Sequence, residues 1–331
     1  MARDHQKKGV IIVLGETSNL KVVAGSIKAG AYDYVLKPLS SQEIVKIIEK
    51  SVKDSRLLAE RIDKHKSTGD KLIGQSKQIV DLYKMIGKVA MSRLPVLVFG
   101  EKGTGKTSVA KAIHQFSEWS DKPLISLNCT SYQNGLLERK MFGYEKGAFR
   151  GAVFPQVGEL EKANGGTLHL GNIESLSLDM QSKVLYFLEE GKFFRLGGAE
   201  PIEVDIRVVA TTCVNLEELI NQGKFIDELY RKLRVLEINI PPLRDRKDDI
   251  PLIIDHYLIE CNDELQKNIK GISKPALKKI LRHDWPGNVN ELKNAIKSAV
   301  ALCRGTSILI EDLPSNCLLY TSPSPRDPKT S

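Results

Sequence analysis

Short apolar runs alternate with helically spaced apolar positions along this chain, and their order predicts an α/β architecture. Residues 10–14 form an aliphatic, β-branched run of strand length, and Leu20, Val23 and Ile27 then recur at helical spacing. Gly30-Ala31 punctuates the pattern before a second strand over residues 32–36, which Lys37-Pro38 ends. Ser40 or Ser41 caps the next helix, with Glu43 in its first turn. Ile44, Ile47, Ile48, Val52, Leu58 and Ile62 keep its helical spacing to about residue 63. So narrow a stripe reads either as a dimerising connector or as a helix lying on its own sheet. A polar break over 66–71 marks a domain boundary. Beyond it, residues 94–99, 124–127, 167–170 and 206–211 are strand candidates separated by amphipathic helices, the pattern of a mostly parallel sheet. Pro241-Pro242 closes that region. Only helical patterns follow: 250–265, 275–281 opened by Ser273, and 289–302 after the Trp285-Pro286-Gly287 turn. From about Asn316 the chain is rich in Pro and Ser without apolar pattern, an abrupt change that reads as a disordered, non-native tail.

Composition narrows the class. A chain of 331 residues can bury a core without a metal or disulfide, and 41% hydrophobic with 27% charged residues is globular composition. Apolar runs fall well short of the ~18 residues of a membrane span, and the first eight residues lack a secretory signal's apolar stretch. Five cysteines (Cys129, Cys213, Cys261, Cys303, Cys317) are odd in number and scattered, which points to a reducing cytoplasm. The net charge of +8 permits an anionic partner without identifying one.

The most specific chemistry lies in Gly100-Glu101-Lys102-Gly103-Thr104-Gly105-Lys106-Thr107, which has the spacing G-x4-G-K-[ST] between a strand and a helical stretch. Glycines let successive N–H groups curl round a phosphate, and the following helix N-terminus adds positive potential. Lys106 is placed to reach the β- and γ-phosphates of ATP, and the Thr107 hydroxyl to hold Mg²⁺.

The stretch 141–152, containing Gly147-Ala148-Phe149-Arg150-Gly151-Ala152, resembles the signature loop of bacterial enhancer-binding proteins, AAA+ ATPases that remodel RNA polymerase carrying sigma-54. Further landmarks are Gly165-Gly166-Thr167-Leu168, Pro241-Pro242-Leu243-Arg244-Asp245-Arg246 and Trp285-Pro286-Gly287-Asn288, so the resemblance runs from about Leu72 to Pro314. It implies an AAA+ core with a parallel sheet over 71–240 and a helical lid over 241–315, assembled as a ring with ATP or ADP between subunits. Residues 10–63 resemble the second half of a response-regulator receiver: Lys37 matches its phosphate-sensing lysine, Tyr34 its switch aromatic, and Gly15 replaces its switch hydroxyl. The expected order is therefore a partial receiver (1–40), helical linker (41–70), core, lid and tail (316–331). Without the preceding acidic strands the segment is not expected to sense phosphorylation. The resemblance also implies a DNA-binding helix-turn-helix after Pro314, where only a short polar tail follows; no membrane partner is expected.

Residue by residue, the implied hydrolytic machinery is replaced. Gly171 and Asn172 stand where the resemblance implies Asp-Glu, one carboxylate for Mg²⁺ and one for the attacking water. Ile226 and Lys232 occupy the trans-acting arginine positions, Cys213 the sensor asparagine and Asn290 the sensor arginine. Asn128, which restrains the catalytic glutamate in the family, is kept. Arg150 replaces the threonine of the sigma-contact loop, which counts against engagement of sigma-54, while Phe149 is kept as its apolar tip. The favoured reading is a regulator that binds nucleotide, hydrolyses it poorly or not at all, and assembles with itself or with active paralogues. An active ATPase with displaced groups, Glu174 and Arg231, is the alternative; a degraded reading frame is the third.

Overall fold

The computed structural model describes residues 11–31, 33–40, 43–47, 72–132 and 134–314. The expected connector helix beyond 47 and the tail from 316 lie outside the described residues. Contacts divide the chain into two units, one of Met1–Glu101 with Gly105–Ile240, the other of Lys102–Thr104 with Pro241–Ser331.

In the first unit, β1 (Ile12–Gly15), α1 (Leu20–Lys28) and β2 (Asp33–Leu36) form a parallel two-stranded piece. Asn19 caps α1 by accepting from the Lys21 N–H (2.8 Å). Ser40 and Glu43 exchange hydrogen bonds as a capping box where the helix at 43–47 begins. Then follow α2 (Lys77–Ala90), β3 (Val96–Phe99), α3 (Lys106–Gln115), β4 (Leu124–Asn128), α4 (Asn134–Phe142), β5 (Thr167–Gly171), α5 (Leu178–Glu190), β6 (Arg207–Thr212), α6 (Leu216–Asn221), α7 (Asp227–Leu233) and β7 (Leu236–Asn239). The main sheet has the order β7-β3-β6-β5-β4, all parallel. Its two faces bury separate clusters, one with Val96, Val98 and Val109, the other with Leu97, Leu168 and Leu170. Strand β7 is absent from the expected set, although residues 235–240 alternate apolar and polar as a strand with one polar-facing edge should.

The register brings the site's strand ends together. Phe99 lies opposite Thr212, and Gly171 lies opposite both Thr211 and Asn128. The ends of β3, β6, β5 and β4 therefore share the carboxyl edge of the sheet, where ligands bind in parallel α/β sheets. Arg207, fully buried at the start of β6, donates to the carbonyls of Val89 (2.7 Å) and Ala90 (3.2 Å). Its cation thus meets the negative end of α2, although burial still pulls the guanidinium down to about 10.

The boundary expected near 71 does not separate one hydrophobic core from another. Val23, Ala24, Ile27 and Tyr34 belong to the same buried cluster as Ile79, Tyr83 and Ile86 of α2. An Asp33–Lys84 ion pair (2.7 Å) crosses the same junction. A polar linker sequence says nothing about whether the segment before it keeps an apolar helix face to bury, and α1 has one. Gly87 sits where α1 and α2 approach most closely. A Cβ there would meet Ala24 O at 3.1 Å and Ile27 Cβ at 3.1 Å.

The second unit is helical, with Ile250–Leu265, Lys274–Arg282 and Asn288–Leu302. Ser273 occupies the cap position before the second helix, but its side chain makes no capping bond. Trp285 is fully buried and donates to Ile280 O (3.0 Å), while Asn288 accepts from the Leu243 N–H (2.7 Å) and donates to Lys102 O (3.0 Å).

If residues 11–36 are part of the core, Gly87→Leu, which overfills the α1–α2 contact, lowers unfolding stability by roughly 1–3 kcal/mol. Urea unfolding checks the value, and cleavage ahead of residue 72 by a dilute protease should quicken in the variant.

Candidate functional site

Gly103 and Gly105 adopt left-handed backbone (φ 81° and 103°), which a side chain would strain, and Gly105 leads directly into α3. Lys106 opens that helix and folds back, its ammonium donating to Gly100 O (2.7 Å) and Glu101 O (3.0 Å). Gly100 N–H in turn donates to Thr212 O (3.3 Å), tying the loop to the end of β6. Burial pulls the Lys106 ammonium below its usual range, only partly offset by the Glu174 carboxylate nearby. Thr104 is buried, while Thr107 exposes its hydroxyl on the first turn of α3. The eight residues 100–107 thus form a glycine-bent turn round a cation at a helix N-terminus, a geometry suited to a polyphosphate.

Gly171 ends β5 with no side chain. Asn172 follows in the left-handed region (φ 54°), and its amide donates to Asn128 Oδ1 (3.0 Å). Asn128 also accepts from the N–H (3.1 Å) and hydroxyl (2.8 Å) of Thr130. Both side chains are neutral amides, so neither residue offers a base. Glu174, in the turn Ile173–Ser175, accepts at Oε1 from Cys213 N–H (3.4 Å) and Sγ (3.1 Å). Burial, then this carboxylate, pushes the Cys213 thiol up, so it stays protonated as a donor. Cys129, buried nearby, is pushed up to about 12 by burial and by Glu174. This convergence of Glu174 and Cys213 beside the loop was not evident from spacing, because 39 residues separate them and the β5–β6 register joins them.

His169 lies inside the sheet, not beside the loop. Its ring pairs with Ser126 Oγ (2.6 Å) on β4 and Thr211 Oγ1 (3.4 Å) on β6, forming a polar rung across three strands. Burial, with Lys111 nearby, pulls it down to about 4, so it is neutral near pH 7.

The other expected positions are dispersed. Ile226 precedes α7, and its N–H donates to Gln181 Oε1 (2.8 Å). Lys232 pairs with Glu189 (3.4 Å) and Arg231 with Asp227 (2.6 Å), both on exposed helix surface. In the second unit, Asn290 N–H donates to Gly103 O (3.3 Å). In the loop 147–152, Gly147 N–H donates to Ala152 O (2.8 Å), Ala152 N–H donates to Phe149 O (3.0 Å), and Arg150 is exposed. Phe149 is not the apolar tip. It is half-buried against Tyr144 (centroids 4.9 Å) and beneath the Arg139 guanidinium (3.6 Å), which shield its faces from water. The exposed apolar residues lie just after it, Val153 and Phe154, the latter 77% exposed. In the N-terminal piece Lys37 faces solvent beside Glu16 (3.6 Å). The Tyr34 hydroxyl, bonded to Thr17 O (2.6 Å), fills the space a Gly15 Cβ would need, at 1.7 Å. An inward Tyr34 therefore requires glycine at 15.

Residues 72–239 match the sigma-54 interaction domain, and residues 244–329 match the AAA+ ATPase lid domain. The chain is 36% identical over 320 residues to the DNA-binding transcriptional regulator NtrC of Salmonella typhimurium, covering 96% of this chain and 68% of that protein. It is 38% identical over 304 residues to the transcriptional regulatory protein ZraR of the same organism, covering 92% and 69%. The crystal structure of NtrX from Brucella abortus in complex with ATP superposes with a TM-score of 0.71 at 26% identity, covering 98% of this chain and 72% of that one. An NtrX structure in complex with ADP gives the same values. The chain spans about two thirds of the length of these curated relatives. Among the described residues, no helix is long and apolar enough to cross a membrane.

The buried rung makes a pH prediction. With His169 near 4 folded and 6.5 unfolded, the unfolded chain binds the proton first, so its contribution is complete above about pH 6.5. Stability then falls as pH drops toward 4, by up to about 3 kcal/mol from this residue. Urea midpoints across pH 4–7 check the slope, which should be shallower in His169→Leu.

Proposed function

Because the chain belongs to the family of sigma-54-dependent transcriptional activators, we propose that it is a regulator which binds ATP or ADP in the 100–107 loop and hydrolyses it poorly or not at all. The supporting observation is one contrast at one sheet edge. The loop keeps both left-handed glycines and its inward lysine, while Gly171 and Asn172 supply no carboxylate. On nucleotide entry the loop N–H groups take the phosphate oxygens, and Lys106 exchanges two carbonyls for them. Thr107 and an acidic group near the loop would hold Mg²⁺, whose bound charge neutralises the β- and γ-oxygens. The bare Glu174 Oε2, buried without a partner, is an orphaned acceptor that suits a cation there.

Magnitudes favour poor hydrolysis. Loss of an arginine finger costs ~10³–10⁵ in rate, and loss of the water-positioning base ~10²–10⁴. The smallest finger loss alone takes ~100 s⁻¹ to ~0.1 s⁻¹. Lys232 keeps a charge but lacks the planar fork that fits a phosphoryl transition state. In this reading the chain forms a ring with itself or with active paralogues in the cytoplasm. Contact with sigma-54 polymerase would pass through 147–154, where Arg150 adds charge and Phe154 supplies the exposed apolar surface. The receiver-like piece, with Tyr34 fixed inward, serves as a section of the core and not as a phosphate switch.

The nearness of Glu174 to the loop favours a second reading, an active ATPase with displaced groups. The two separate cleanly: with Mg²⁺-ATP, binding should be measurable and turnover below ~0.1 s⁻¹. Lys106→Ala should abolish binding. Turnover above that rate, lost in Lys106→Ala, selects the displaced-group enzyme.

A further inference from the structure

Glu174 is half-buried, and its carboxylate is only half used. Oε1 takes both Cys213 donors, but Oε2 is buried without a hydrogen-bond partner. An acceptor left bare away from water is costly, and a protein tolerates it where something else completes the group. Lys106 does not complete it, because its ammonium is given to Gly100 O and Glu101 O.

The position of this oxygen says what does. Cys213 follows Thr212, whose carbonyl receives the Gly100 N–H, and the Gly100 carbonyl receives Lys106. Glu174 is therefore linked to the phosphate loop through one strand end. It stands three residues beyond Gly171, where β5 ends without the side chain a metal-bearing carboxylate would need. The 3-10 turn Ile173–Ser175 carries the carboxylate back toward β6, where the Cys213 N–H and Sγ both reach Oε1. The thiol is a positioning group: its bond holds Oε1 and leaves Oε2 without a hydrogen-bond partner.

Resting on the nucleotide-binding reading, we propose that Glu174 has taken over the metal-holding carboxylate role left empty at Gly171. Its Oε2 holds the Mg²⁺ that accompanies a bound nucleotide, with the Thr107 hydroxyl as the second protein ligand. Among the described residues no three His, Cys, Asp or Glu side chains gather into a metal site. The cation is accordingly held only together with phosphate oxygens, as hard, strongly hydrated Mg²⁺ usually is in nucleotide sites. Holding the metal restores affinity without restoring hydrolysis, because Asn172 still orients no water.

The test is ATP affinity by titration calorimetry on the full chain, with Mg²⁺ and with EDTA, for the wild type, Glu174→Gln and Lys106→Ala. Wild type should bind roughly tenfold or more tightly with Mg²⁺. Glu174→Gln should lose most of that gain while matching or exceeding wild type in EDTA, where the carboxylate only repels the phosphates; the EDTA value also shows that the variant is folded. A full wild-type Mg²⁺ gain in Glu174→Gln, or no Mg²⁺ gain in wild type, overturns the proposal while the nucleotide reading stands. Absence of ATP binding by wild type in both buffers overturns that reading itself, and this proposal with it.

Discussion

The Lys106 ammonium, drawn onto the carbonyls of Gly100 and Glu101, is the contact from which the site takes its meaning. It holds a positive charge in a loop bent by two left-handed glycines, at the N-terminus of a helix. The parallel sheet fixes what stands around that charge, because its register aligns the ends of β3, β4, β5 and β6. Whatever residue types occupy those four ends decide whether bound phosphate is only held or also cleaved.

The residues at those ends, Phe99, Asn128, Gly171 and Thr212, carry no charged side chain. Asn172 donates to Asn128, Gly171 contributes backbone alone, and Cys213 keeps its proton. Glu174, beside the ends of β5 and β6, is held by Cys213 and carries an unused oxygen. A site of this kind can discriminate nucleotide and metal states by affinity and convert them into packing, since phosphate binding needs geometry and positive charge while cleavage needs a placed base and a second cation. That separation is how a member of an ATPase family can act as a nucleotide-dependent interaction protein.

Much of this was legible in the sequence because it depends on local pattern. The strands at 96–99, 167–171 and 207–212 follow from buried aliphatic runs, and the phosphate loop follows from glycines at fixed offsets before a helix. Side-chain partners set by register were not legible. Nothing in the spacing joins Glu174 to Cys213 or His169 to Ser126 and Thr211, because strands distant in sequence bring them together. The absorption of α1 into the core was hidden for a related reason: its apolar face looks the same whether it covers its own sheet or α2. Phe149 was misplaced at the loop tip because a sequence shows that a residue is apolar, not that Arg139 and Tyr144 lie over its faces.

Under the proposed function, the loop grips a triphosphate which the surrounding residues leave whole. Phosphorus NMR of ATP and Mg²⁺ incubated with a slight excess of the protein watches the bound γ-phosphate directly. Its resonance should be shifted by binding and persist for many minutes without inorganic phosphate appearing. Conversion to ADP and phosphate within the first seconds, or spectra unchanged from free ATP, would contradict the account.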